Sequence, residues 1–154
     1  SSGILSSYMK SNGKLAHLLY MPGNGVAHPT SHETVDQKMH YIKMEGRETF
    51  KHAVKSMSQA AEEVLKYAEI DKKDIDLLIT HQANMRIIKA LGSRLKVSED
   101  KVFSNIAEYG NTSAASIPIA MNEARDQGKL NRGDLLLLAA FGGGFTWAAN
   151  VIRY

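Results

Sequence analysis

The fold follows from one stretch of the chain, Asp76-Leu77-Leu78-Ile79-Thr80-His81-Gln82-Ala83-Asn84, in which an apolar run meets a helical pattern. Its first five residues predict a short buried strand, and the residues from 84 to 95 predict a helix. His81 therefore stands where a strand has ended and a helix is about to begin. Ligands of open α/β sheets bind beyond the carboxyl ends of the strands, so an imidazole at this corner is well placed for chemistry. The alternative is a histidine that neighbouring backbone groups hold in place.

The predicted helix after His81 has an apolar face and a basic face. Ile88, Leu91 and Leu95 share the apolar face. The segment from 82 to 98 holds no acidic residue and four basic ones, Arg86, Lys89, Arg94 and Lys96. Because the whole chain has a net charge of only +3, it is this cluster that predicts an acidic partner. We expect no nucleic acid among its partners, and an ordinary solvated helix face is the alternative.

The composition is typical of one globular domain. The chain has 154 residues, of which 44% are hydrophobic and 23% are charged, and this length can bury a substantial core. No apolar run approaches the roughly 18 residues that span a bilayer, and residues 1–4 lack the pattern of a signal peptide. We therefore expect a cytoplasmic protein without a membrane partner. The absence of cysteine excludes disulfides and a cysteine nucleophile within this polypeptide.

Strands and helices alternate along the rest of the chain. Strands are predicted over 3–9, 76–80, 102–106, 135–141 and 145–153, and helices over 46–69, 84–95 and 112–127. The order β-α-β-α-β-α-β-β predicts a layered α/β domain with a mixed sheet and a final hairpin.

The segment from 14 to 45 shows neither the hydrophobic period of a helix nor that of a strand over any sustained length, which predicts a long flap or loop. His28 and His32 lie four residues apart within it. Pro29 lies between them and argues against a helix that would present both rings to one ion. No third ligand falls at a typical spacing, so we expect no metal site.

Polar or glycine-rich corners follow three of the predicted strands. They are His81, Asn111 and the turn Gly142-Gly143-Gly144. An imidazole N–H and a carboxamide N–H aimed at one point can bind a carbonyl oxygen as it becomes negative, and glycine backbone amides can form a similar donor site. The alternatives are that Asn111 caps the following helix and that the glycines only make a hairpin turn.

Three motifs together resemble the C-terminal half of the bacterial β-ketoacyl-acyl-carrier-protein synthases III, which belong to the thiolase-like condensing enzymes. They are His81-Gln82-Ala83-Asn84, Tyr109-Gly110-Asn111-Thr112-Ser113-Ala114-Ala115-Ser116 and Phe141-Gly142-Gly143-Gly144-Phe145-Thr146-Trp147. The resemblance runs from about residue 3 to residue 154. It implies that residues 1–154 form one half of a thiolase-like fold, the C-terminal domain, and that the half with the catalytic cysteine is absent from this chain.

The resemblance implies a Cys-His-Asn enzyme that starts fatty acid synthesis by condensing an acyl-CoA primer with malonyl-acyl carrier protein (malonyl-ACP). His81 and Asn111 match the family residues that donate hydrogen bonds to the malonyl thioester carbonyl during decarboxylation. Gly143 matches the glycine whose backbone N–H belongs to the acyl oxyanion hole. No cofactor is implied apart from the acyl-CoA substrate.

Further residues match family positions that bind substrate or carrier protein. Those implied at the pantetheine tunnel are Ala83, Asn84, Gly46 and Phe50. Those implied in docking the acidic carrier protein are Arg86, Lys51 and Lys89. The resemblance also implies a homodimer in the full protein.

The main departure from the family pattern is length, because these enzymes are about twice as long and carry their nucleophile in the other half. Without a cysteine this chain cannot form the acyl-enzyme. An isolated half also exposes surface meant for its partner, so we expect it to self-associate. Two alternatives stay open. One is a non-catalytic module that binds CoA or acyl carrier protein; the other is a related condensing enzyme, of the polyketide synthase or hydroxymethylglutaryl-CoA synthase type.

Overall fold

The computed structural model describes residues 2–154 and arranges them around a five-stranded mixed sheet with helices on both faces. The strands are β1 (Gly3–Ser11), β2 (Leu19–Tyr20), β3 (Lys43–Met44), β4 (Leu77–Thr80), β5 (Val102–Phe103), β6 (Leu135–Gly142) and β7 (Thr146–Arg153). The helices are α1 (His32–Asp36), α2 (Gly46–Tyr67), α3 (Met85–Leu95), α4 (Ile106–Tyr109) and α5 (Ser116–Asp126). The layered α/β class and the predicted succession of its main elements are confirmed.

The sheet has the order β1-β7-β6-β4-β5. β4 runs parallel to both of its neighbours, β5 and β6, whereas β7 runs antiparallel to β6 and β1. A strand with parallel neighbours and helices over both faces has no polar side, and all four residues of β4 are buried. This position places His81 at the carboxyl edge of the sheet, beside the carboxyl ends of β5 and β6.

The sheet separates two apolar cores. Side chains alternate along β6, so that Leu137 faces the core under α2 and α3 while Leu136 and Leu138 face the core under α5. Small residues lie where α2 and α5 pack in the two cores, with Ala61 in α2 and Ala124 in α5 fully buried. Small side chains allow each helix to approach the sheet closely.

Most predicted elements differ from the structure by one or two residues at an end, and two differ by more. The strand predicted over 102–106 ends at Phe103, because the backbone N–H of Asn105 donates to Gln82 Oε1 instead of to a neighbouring strand. The single helix predicted over 112–127 is interrupted, because Ser113 has a left-handed backbone with φ of 52°. A 3₁₀ turn over Ser113–Ala115 therefore precedes α5.

The segment from 14 to 45 contains only short elements. β2 and β3 pair over two residues each, and α1 is a five-residue helix capped by Ser31. Within residues 2–154 no group of three metal-ligating side chains gathers, in this segment or elsewhere. The same residues contain no helix with the length and apolar character needed to cross a bilayer.

Candidate active site

A cleft of about 1340 Å³ opens at the carboxyl edge of the sheet. Its walls include His81 after β4, Asn111 before the 3₁₀ turn and Gly142 at the end of β6. Gly143 lies one residue further on, in the hairpin turn, and is not among the lining residues. A Cβ atom added at Gly143 would stand 3.3 Å from the Leu19 carbonyl oxygen, so the backbone of this turn is packed closely against β2. All three predicted corners therefore reach the same cleft, the glycine turn through Gly142 and not through Gly143.

The His81 ring is held by a serine that the sequence did not single out. Ser116 Oγ lies 2.7 Å from His81 Nδ1 and accepts a hydrogen bond from the Gln82 backbone N–H at 3.2 Å. Within residues 2–154 the Ser116 hydroxyl proton has no hydrogen-bond acceptor other than Nδ1. The bonding pattern therefore assigns Nδ1 as the acceptor and leaves Nε2 as the protonated nitrogen of the neutral ring.

The same ring is favoured in its neutral form. His81 is half-buried, and burial lowers the pKa of its imidazole below the usual value. A lowered pKa means that the ring stays uncharged at neutral pH and gains its proton only under more acidic conditions. His81 is thus a neutral hydrogen-bond donor through Nε2, suited to an oxygen that is becoming negative.

Asn111 is oriented by its own turn. Its Oδ1 accepts from the Ser113 backbone N–H at 2.9 Å, which closes a local turn. Asn111 does not cap α5, whose N-cap residue is Ala115. That bond uses the oxygen and leaves the amide nitrogen without a partner inside residues 2–154. Because Asn111 is exposed and lines the cleft, its two N–H groups are available to a ligand.

The residues implied at the pantetheine tunnel lie together along the same cleft. The four lining residues concerned are Ala83, Asn84, Gly46 and Phe50. Asn84 is also the N-cap residue of α3, because its Oδ1 accepts from the Arg86 backbone N–H at 2.8 Å. Gly46 opens α2, so the first turn of that helix forms part of the wall.

Cationic side chains border the cleft, but they differ in availability. Lys51 lines it and pairs with Glu48 at 2.7 Å, which neutralises part of its charge. Arg86 also lines it, with its guanidinium 5.2 Å from the centre of the Phe50 ring. Lys89 is exposed on α3 but is not a lining residue.

Arg47 is a lining residue that the sequence analysis missed. It is exposed in the first turn of α2, and neither it nor Arg86 forms an ion pair with any carboxylate among residues 2–154. The sequence did hold a signal that could have identified Arg47, because it lies between Gly46 and Phe50, two residues already implied at the tunnel. The two arginines leave the cleft with positive charge that has no internal counterion.

Comparison with known proteins gives one consistent result. Residues 65–154 match the family model described as 3-oxoacyl-[acyl-carrier-protein (ACP)] synthase III C terminal. A β-ketoacyl-[acyl-carrier-protein] synthase III from Caldanaerobacter subterraneus subsp. tengcongensis is 51% identical over 152 residues, covering 99% of this chain and 46% of the relative. The corresponding Koribacter versatilis protein is 49% identical, with the same two shares.

A solved structure agrees with this result. The crystal structure of 3-oxoacyl-[acyl-carrier-protein] synthase III from Aquifex aeolicus matches with a TM-score of 0.87 and 46% identity, over 99% of this chain and 45% of that one. The chain thus spans about half the length of the curated relatives it matches and has the fold of one half of a thiolase-like enzyme. It belongs to the family of 3-oxoacyl-[acyl-carrier-protein] synthase III C-terminal domains.

Proposed function

We propose that this chain supplies the histidine and asparagine of a β-ketoacyl-ACP synthase III, which condenses an acyl-CoA primer with malonyl-ACP at the start of fatty acid synthesis. The cysteine that carries the acyl group belongs to a second, N-terminal half. One observation carries the proposal: His81 and Asn111 line the same cleft, and the bonds to Ser116 and Ser113 leave a donor free on each.

The chemistry of decarboxylation explains why two neutral donors are needed. The bond between the malonyl carboxylate and C2 breaks, carbon dioxide leaves, and the electron pair moves onto the thioester oxygen as an enolate. His81 Nε2–H and Asn111 Nδ2–H donate to that oxygen. Neutral donors that are already oriented stabilise a developing charge more than the uncharged thioester, which lowers the barrier.

Carbon–carbon bond formation follows at the acylated cysteine. The enolate carbon attacks the acyl thioester, and the cysteine leaves as a thiolate. We propose that the Gly143 backbone N–H stabilises the oxyanion of this step together with the amide of the cysteine. The thioester carbonyl itself accepts the electrons at each step, so we propose that the reaction uses no cofactor. We also propose that the full enzyme is a cytoplasmic homodimer.

The proposal is tested by separating the two half reactions in the assembled synthase, this chain with its cysteine-bearing half. His81→Ala is expected to slow malonyl decarboxylation about a hundredfold, because one donor to the enolate is lost. Transfer of the acyl group from CoA to the cysteine should stay within about twofold, since it does not form the enolate. Both rates are measured in single turnovers, as release of carbon dioxide and as acylated protein by mass spectrometry.

His17→Ala is the matched control, because that histidine is exposed and lies outside the cleft. Normal decarboxylation by His81→Ala would contradict the proposal. If the unaltered chain binds CoA or carrier protein but gives no turnover with a competent cysteine-bearing half, it is instead a non-catalytic binding module.

We further propose that the cationic border of the cleft, formed by Arg47, Lys51 and Arg86, docks the acidic carrier protein. Arg86→Glu is expected to weaken binding about tenfold and to reduce its dependence on salt, since a cation without an internal counterion becomes an anion. Arg47→Glu should act in the same direction. Binding is measured by isothermal titration calorimetry at two salt concentrations.

Lys66→Glu is the control for this prediction. It makes the same change of charge at an exposed position in the last turn of α2, at the opposite end of that helix from the cleft. Equal losses of affinity in Lys66→Glu and Arg86→Glu would show that total charge, and not this border, determines binding.

A further inference from the structure

Gln82 is a polar side chain enclosed within the protein beside the proposed catalytic residues. It is 1% exposed, follows His81 directly and does not line the cleft. A buried amide is stable only when its donors and acceptors are bonded. Because the side chain has no access to a substrate, any effect on the chemistry must pass through its neighbours.

The Gln82 side chain joins the end of β4 to the segment that opens α4. Its Nε2 donates to the Thr80 carbonyl oxygen at 2.8 Å. Its Oε1 accepts from Ser104 Oγ at 3.0 Å and from the Asn105 backbone N–H at 3.2 Å. These partners lie 22 and 23 residues further along the chain. One side chain therefore holds together the ends of two neighbouring parallel strands.

The connections of Gln82 reach both proposed donors. Its backbone N–H donates to Ser116 Oγ, the same hydroxyl that lies 2.7 Å from His81 Nδ1. On the other side, Asn105 precedes α4, and the end of that short helix leads directly to Asn111. A displacement of Gln82 would consequently be transmitted to His81 by one route and to Asn111 by the other.

We propose that Gln82 is a positioning residue, which fixes the separation and direction of the His81 and Asn111 donors; this inference rests on the function proposed above. Two donors stabilise one enolate oxygen only when both point at it. A misplacement of about 1 Å is enough to cost about a hundredfold in rate. A residue of similar volume without hydrogen bonds would leave Ser104 and Asn105 unpaired and would release this constraint.

Gln82→Met removes the hydrogen bonds and keeps most of the volume. In the assembled synthase we expect the single-turnover rate of malonyl decarboxylation to fall about thirtyfold to a hundredfold. Transfer of the acyl group to the cysteine and the KM for malonyl-ACP should change by less than about twofold, since docking and the nucleophile lie elsewhere. Gln59→Met is the matched control, because it makes the same chemical change on the exposed face of α2.

Gln82→Glu gives a second, reversible test. A protonated carboxyl group can donate to the Thr80 carbonyl and accept from Ser104 and Asn105, as the amide does, whereas an ionised one cannot donate. Burial raises the pKa of such a carboxyl group, so lowering the pH should protonate it. We therefore expect the ratio of decarboxylation to acylation to be low at about pH 8 and to rise towards the wild-type ratio at about pH 6. Two ionisable groups share this hydrogen-bond cluster, His81 and Glu123, which accepts from Asn105. Burial lowers the pKa of the His81 imidazole, which moves its protonation to more acidic pH. The unaltered synthase, measured over the same pH range, shows any change in rate that comes from His81 itself.

The ratio of decarboxylation to acylation decides the result, because loss of folded protein reduces both rates equally. A normal ratio in Gln82→Met, beside a reduced one in His81→Ala, overturns the positioning role alone. A normal ratio in both variants overturns the proposed role of His81 and the positioning with it. A ratio for Gln82→Glu that is low at every pH, or wild-type at every pH, also contradicts the inference.

Discussion

Malonyl decarboxylation by the assembled synthase is expected to slow about a thousandfold when Asn111 is replaced by Asp. The carboxylate keeps the oxygen that accepts from the Ser113 backbone N–H at 2.9 Å, so the local turn is retained. The second oxygen takes the place of the amide nitrogen that faces the cleft. A hydrogen-bond donor is thereby lost and a negative charge is set against the enolate oxygen, and each change raises the barrier.

Comparison with Asn111→Ala separates these two effects. The Ala variant loses the donor without adding a charge, and we expect it to be slowed about a hundredfold. Carbon dioxide release in a single turnover measures both variants, with acylation of the cysteine as the internal reference. Asn24→Asp is the control, since it makes the same change at an exposed position outside the cleft. Equal losses in the Asp and Ala variants would show that the added charge has no effect beyond loss of the donor. A normal rate in both variants would contradict the proposed role of Asn111.

The strand-to-helix corner at His81 was predictable because both of its signals are local. An apolar run of the length of one strand precedes it, and a period of three to four residues follows it. The structure confirms these elements as β4 and α3. Local patterns of this kind need no knowledge of distant residues, which is why the alternation of the main elements was also correct.

The partners of the site residues were not predictable in this way. Ser116 is 35 residues from His81, and nothing in its neighbourhood distinguishes it from Ser113, the other serine of the segment 113–116. The interruption at Ser113 depends on its left-handed φ, which an isolated sequence pattern of small residues does not reveal. The order of the strands in the sheet also depends on residues far apart in the sequence. β1, the first strand of the chain, lies at the sheet edge beside β7, the last strand.

Phe145→Ala is expected to destabilise the domain by about 3–5 kcal/mol, which is the range for deleting a buried aromatic side chain. Phe145 is fully buried, and its ring centre lies 4.6 Å from that of Phe141, a lining residue of the cleft. Its backbone N–H and carbonyl exchange hydrogen bonds with Asn12 at 3.0 and 2.7 Å, so the turn is held in place and cannot collapse into the cavity. We therefore expect the free energy of unfolding to fall by the full cost of that cavity.

Urea unfolding of this chain, followed by the fluorescence of its single tryptophan, Trp147, measures the loss. Tyr20→Ala is the control, since that ring is 45% exposed and its removal should cost less than about 1 kcal/mol. A cost below about 1 kcal/mol for Phe145→Ala would mean that the hairpin turn relaxes into the cavity. In that case the packing of the Phe141 and Phe145 rings would not determine the shape of the cleft wall. The backbone of the glycine turn would determine it instead.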